Sequence, residues 1–288
     1  MVKFLSTFIL AILLSSIAAP APRAQVLLPR TLEPNPADME RDGLTVAQEA
    51  LQLAQFQQFG DALVRAKLAA QLAPDTYEIW ALLGGLHLTV GQAEEAITAL
   101  ERSLALNQEN SGVYFNLGSA YFRTKDYGRS VRAIEQGLAI KDDTPEEWFN
   151  LGNAYMMLDQ GSRAIAQYRK AINLDKKFWP AFNNIGLIQY EQGNIRQAIQ
   201  NWQTAVDLDD KASEPKLALA TALFKQGQVA QALPLAEEAI QLDSRYATVE
   251  FQRENLWGDR LVSDTQALLA NPRLQAVVSQ LEPATTPE

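Results

Sequence analysis

Trp148-Phe149-Asn150-Leu151-Gly152-Asn153-Ala154-Tyr155 decides the fold of this chain, because its pattern returns at a fixed distance in both directions. Steps of 34 residues from Trp148 meet Tyr114 and Trp80 upstream and Phe182 downstream. From Gly152 the same steps meet Gly118, Gly84 and Gly186. A period of this length without insertions means that each unit is one supersecondary piece. It cannot bury its own apolar face and must stack on its neighbours.

Carried outward, the register gives six units, 43–76, 77–110, 111–144, 145–178, 179–212 and 213–246, together 204 of 288 residues. The eighth position is always small: Ala50, Gly84, Gly118, Gly152, Gly186 and Ala220. The twentieth holds Ala or Ser, and the twenty-seventh Ala, Ser or Gly. Small columns let two helix backbones approach closely, and bulky columns supply the knobs for those holes. The twenty-fourth column is such a set, with Leu100, Ile134, Tyr168 and Trp202, whereas the end units have Ala66 and Ala236 there.

These columns resemble the tetratricopeptide repeat, in its aromatic, Leu-Gly, Tyr, Ala, aromatic and Ala positions over residues 43–246. The resemblance implies an all-α fold, a right-handed α-solenoid of six helix-turn-helix units, whose first helices line a concave groove. The family's closing Pro is kept only at Pro74. Glu254-Asn255-Leu256-Trp257-Gly258-Asp259 resembles a segment of bacterial, especially cyanobacterial, proteins of this kind.

Local chemistry agrees with paired helices. Asp159-Gln160-Gly161-Ser162, Gln192-Gly193-Asn194 and Gln226-Gly227-Gln228 break the apolar period with one short turn each. Pro145, Pro180 and Pro215 fall in the first three positions of their units, where a helix needs no donor. Pro234 lies further into a second helix and predicts a local distortion or a late start there.

The two ends read differently. Residues 1–24 carry Lys3, an apolar run from Phe4 to Ala19 and an Ala19-Pro20-Ala21 exit, the pattern of an export signal. The run is short for a membrane-spanning helix, which needs roughly 20 residues, but an uncleaved anchor stays open. The expected location is periplasmic or otherwise extracytoplasmic, with a membrane-anchored or thylakoid-lumen protein as the alternative. Residues 25–42, with Pro29, Pro34 and Pro36, read as a linker. Residues 247–281 read as helices capping the open apolar end of the stack, and 282–288 as a loose tail.

The chain has no cysteine, one histidine and a net charge of −9, which becomes −11 without Lys3 and Arg23. Disulfides and thiolate metal sites are excluded, and an acidic body without a basic run argues against nucleic acid and a polybasic membrane contact. His87 stands in the eleventh column with Tyr121 and Tyr155, which favours a core or groove-edge role over catalysis. No phosphate loop, nucleophile elbow or metal cluster appears, so neither catalysis nor a cofactor is expected.

The polar column that points to binding is Asn116, Asn150 and Asn184, a ladder of amides able to donate to and accept from a peptide backbone. The same column equally suits helix packing. Around it we expect Phe115, Phe149, Asn153 and Asn183, then Phe122, Met156 and Tyr190, with Arg123 and Met157 beside them. This lining suits apolar side chains of a peptide or helix, or else packs between units. The expected function is a non-catalytic scaffold that binds a peptide or helix of a partner protein. The alternative is a membrane-associated assembly factor or chaperone for a membrane complex, a photosynthetic one if the source is cyanobacterial; membrane contact is expected only if the leader is kept.

Overall fold

A computed structural model of the protein describes residues 35–281. The expected export signal, residues 25–34 of the expected linker and the expected tail lie outside the described residues. Twelve helices form six antiparallel pairs: α1 (Pro36–Gln55) with α2 (Phe59–Leu72), α3 (Tyr77–Thr89) with α4 (Ala93–Leu106), and α5 (Ser111–Arg123) with α6 (Tyr127–Ile140). They continue with α7 (Pro145–Met157) and α8 (Gly161–Leu174), α9 (Trp179–Glu191) and α10 (Ile195–Leu208), and α11 (Ser213–Lys225) and α12 (Val229–Leu242). Each second helix packs on the next unit, and successive first helices touch, so the first helices form a continuous inner face. The architecture is an α-solenoid.

Residues 36–42, expected in the linker, instead form the opening turns of α1. Pro36 is its first residue, where a missing backbone donor costs a helix nothing. Pro234 lies inside α12, which runs unbroken from Val229 to Leu242, so the expected distortion does not end or delay the helix.

The knob-and-hole columns meet as pairs. A Cβ on Gly84 would fall 2.5 Å from Leu100 Cγ, and one on Gly186 would fall 2.5 Å from Trp202 Nε1. Gly118 meets Ile134 and Gly152 meets the Tyr168 ring in the same way. In the end units, fully buried Ala50 and Ala220 share their units with equally buried Ala66 and Ala236. The two columns therefore vary together, the largest knobs standing opposite glycine and the small Ala66 and Ala236 in units whose eighth position is Ala. The absent closing Pro has a simple account as well. Trp80 Nε1 donates to the carbonyl of Pro74 and Trp148 Nε1 to that of Asp142, each at 2.8 Å, so this tie uses only the backbone of the thirty-second position.

Every turn inside a unit uses one geometry. The fifteenth residue has positive φ in all six units: Gln57, Gly91, Lys125, Asp159, Gly193 and Gly227. The next amide in each reaches back five residues, as Asp126 N does to Tyr121 O at 2.9 Å. In the fourth unit the left-handed residue is Asp159, while Gly161, the expected turn glycine, opens α8. Lys125, at φ 62°, holds a left-handed conformation that costs an L-residue with a Cβ roughly 1–2 kcal/mol. Lys125→Gly relieves that strain but frees the unfolded chain, so a net gain of about 0.5–1 kcal/mol is expected, read as a higher urea midpoint.

Candidate functional site

Beyond α12 the chain does not add a seventh pair. A 3₁₀ turn (Ser244–Ala247) leads through α13 (Val249–Glu254) to α14 (Asp259–Leu269) and α15 (Pro272–Leu281). The last of these packs on α12, closing the end of the stack, whereas α14 turns back and lies on α9 and α11, the first helices of the last two units. Its contacts are specific. Tyr190 OH donates to Asp264 Oδ2 at 2.7 Å, Lys225 Nζ to Asp264 Oδ1 at 2.6 Å, and the Thr221 and Thr265 hydroxyls meet at 2.9 Å. The Glu191 carboxylate accepts the amides of Arg260 and Leu261 at 3.2 and 2.9 Å, neutralising the positive end of α14. Burial pushes the Asp264 carboxyl up, but Lys225 and Tyr190 outweigh it and hold the group below its ordinary range.

The segment Trp257-Gly258-Asp259 makes this return possible. A Cβ on Gly258 would strike the Glu191 carboxyl group, the one that receives the α14 amides. Trp257 is buried and donates from Nε1 to Glu214 Oε1 at 2.9 Å.

As a result the inner face is filled in one half and open in the other. Residues 183–190 of α9 and 215–222 of α11 are buried without interruption. On α5 and α7, Asn116, Arg123 and Met157 are exposed and Ser119, Phe122, Asn150 and Asn153 partly so. Between these two helices lies a cavity of about 180 Å³, floored by Gly118, Ser130 and Ile134 and walled by Ser119, Phe122, Arg123, Asn150 and Asn153.

Four of the twelve residues expected at the site thus meet in one pocket: Phe122, Arg123, Asn150 and Asn153. The others stand elsewhere. Phe115 is buried against Gly137, in the core rather than the groove. Phe149 packs on Tyr168 and Phe178, each at 5.5 Å between ring centres. Met156 is partly buried with Tyr168 OH directed at its sulfur, and Met157 stays in solvent, as does Asn116. Asn184 is buried, donating to Asn153 Oδ1 at 2.9 Å and accepting from Asn183 at 3.1 Å, so this rung of the ladder joins units. Asn183 is itself buried, and Tyr190 is covered by α14. Ser119 was not expected. Its signal was the ninth column, polar at Ser119, Asn153 and Thr221 but Leu51, Gly85 and Leu187 in the other units.

The pocket's polar groups are only partly used. Asn153 Oδ1 accepts from Tyr168 OH and Asn184, which leaves its Nδ2 without a partner among the described residues. Asn150 Nδ2 donates to Glu147, leaving its Oδ1. Arg123 uses Nη1 on the Leu88 carbonyl and has Nε and Nη2 to spare. His87, by contrast, is buried with Nδ1 2.7 Å from Gln92 Oε1, in a packing role. Among the described residues no His, Cys, Asp and Glu grouping could hold a metal ion, and no helix is long and apolar enough to cross a membrane.

Tetratricopeptide-repeat models match residues 89–125, 111–144, 145–178 and 183–247. The chain belongs to the tetratricopeptide-repeat family. It is 37% identical over 68 residues to the Hsp70-Hsp90 organizing protein of Triticum aestivum, a match covering 24% of this chain and 12% of that protein. Among solved structures, Pseudomonas aeruginosa pilF aligns with a TM-score of 0.60 at 19% identity, over 75% of this chain and 99% of that one. YrrB, described as a TPR protein with an unusual peptide-binding site, aligns with a TM-score of 0.51 at 15% identity, over 66% and 97%. Similarity at these identities concerns the fold.

Proposed function

We propose that this tetratricopeptide-repeat protein is a non-catalytic scaffold that holds a segment of a partner protein in the open half of its inner groove. The carrying observation is the cavity between α5 and α7, where an aromatic ring, a cation and two amides with unspent valences converge on space that no part of the described chain fills. Concave sites with apolar walls and a few convergent polar groups are where ligands bind. The peptide-binding site in the description of YrrB and the organizing role in the name of the wheat protein point the same way. The proposal includes export with cleavage of the leader, which N-terminal sequencing of the mature protein tests: a start near residues 20–25 fits, whereas an intact Met1 means that the leader is retained as an anchor.

Site-specific photocrosslinking in the source cells tests the binding reading. With benzoylphenylalanine at position 119 or 122, a discrete higher-mass adduct is expected; at Arg169, on the outer surface of α8, none is. Adducts of equal yield from both faces, or none from the groove, defeat the reading.

A further inference from the structure

The open pocket and the seat of α14 are the same place two repeats apart. Adding 68 to each residue number turns Ser119 into Leu187, Phe122 into Tyr190, Arg123 into Glu191, Asn150 into Ala218 and Asn153 into Thr221. Three of these counterparts, Tyr190, Glu191 and Thr221, hydrogen-bond directly to α14. This solenoid therefore displays a worked case of what its inner face accepts. It is a helix laid across two first helices, with the thirteenth-column side chain reading the charge of the approaching element.

The two seats differ in that charge. Where the filled seat offers the Glu191 carboxylate to the amide end of α14, the open seat offers the Arg123 guanidinium. Leu187, Ala218 and Thr221 give way to the more polar Ser119, Asn150 and Asn153. The unspent donors at the open seat are Arg123 Nε and Nη2 and Asn153 Nδ2, against the acceptor Asn150 Oδ1, with the Ser119 hydroxyl able to act as either. Glu147, the acidic group beside it, is engaged by Asn150 Nδ2. Such an excess of donors around a guanidinium matches a carboxylate. It also turns away a second copy of α14, whose amide end and Arg260 would meet Arg123.

We propose that the open seat receives a helix of a partner protein carrying an aspartate or glutamate, its carboxylate on Arg123 and Asn153 and its apolar side chains on Phe122. This deepens the binding reading above and rests on it.

The test is a phage-displayed library of helix-forming 14-residue peptides, selected on the purified full chain and on its Arg123→Glu variant, with helical content confirming that both are folded. Wild-type selection is expected to enrich Asp or Glu at one position flanking an apolar face. Changing that residue to Asn or Gln should weaken binding at least tenfold, and Arg123→Glu should move the preference to Lys or Arg. Peptides that lose binding on Phe122→Asp yet show no acidic preference, or that ignore Arg123→Glu, overturn this inference and leave the groove reading standing. Enrichment of sequences like α14 would assign the seat to a second copy of the chain and overturn it too. Recovery of no peptide sensitive to Phe122→Asp overturns both.

Discussion

Gly152→Ala is expected to destabilise the protein by about 1–3 kcal/mol, and most of that cost should disappear when Tyr168 is also changed to Ala. The added methyl would lie against the Tyr168 ring, which is fully buried and held on its far side by its hydroxyl bond to Asn153. The ring cannot swing away without breaking that bond and pressing on Phe149. Tyr168→Ala alone is expected to cost about 3–5 kcal/mol, from lost burial and the cavity left behind. In the double variant the new methyl enters that cavity and recreates the Ala pairing of the first and last units, Ala50 with Ala66 and Ala220 with Ala236. The coupling should therefore be favourable by about 1–3 kcal/mol relative to additivity. Urea unfolding of the four proteins, followed by far-ultraviolet circular dichroism, measures it. Additive costs within about 0.5 kcal/mol would show that the two columns do not compensate each other.

The same columns mark where sequence reading succeeds and where it stops. Gly152 and Tyr168 are 16 residues apart, yet the repeat exposes their contact, because a hole and a knob recur at fixed positions and vary together. Turn position was legible for the same reason, although Asp159 rather than Gly161 takes the left-handed conformation. What a period cannot display is an element outside it. The placement of α14 on α9 and α11 depends on Asp264, Thr265 and the Gly258 approach to Glu191, single residues with no repeat to reveal them. That return makes Tyr190 a buried anchor while its column-mate Phe122 stays at an open pocket. The asparagine ladder divides likewise: one column yields an exposed Asn116, a pocket-lining Asn150 and an Asn184 that ties two units together. Burying one rung and exposing another takes the surrounding helices, which the column alone does not contain.

Trp257→Phe is expected to loosen the C-terminal return by about 1.5–3 kcal/mol at neutral pH while keeping most of the buried volume. The indole nitrogen donates to the Glu214 carboxyl, which Asn183 and Tyr246 also approach, and no cation stands among these partners. Burial raises the Glu214 pKa despite those donors. For an acid whose pKa is higher folded than unfolded, the protonated form favours the fold. Its contribution is complete below the ordinary glutamate value of about 4.3 and is lost as pH climbs through the folded pKa. Removing the indole N–H takes away the first of the groups that lower this pKa, so the variant's folded pKa rises further. The gap between variant and wild type should thus be smallest at the acid end, near the ordinary glutamate value of about 4.3, and widen as pH rises toward about 8. Asp264 titrates with the opposite sign but equally in both proteins, and cancels from the difference. Adding Glu214→Gln should remove the widening, because a neutral amide can still accept from Asn183 and Tyr246 and carries no charge to strand. Thermal melts of wild type, Trp257→Phe and Trp257→Phe/Glu214→Gln across that pH range decide the matter. A gap that stays constant with pH, or that narrows as pH rises, would mean that Trp257 holds the α14 return by packing and not through the Glu214 carboxylate.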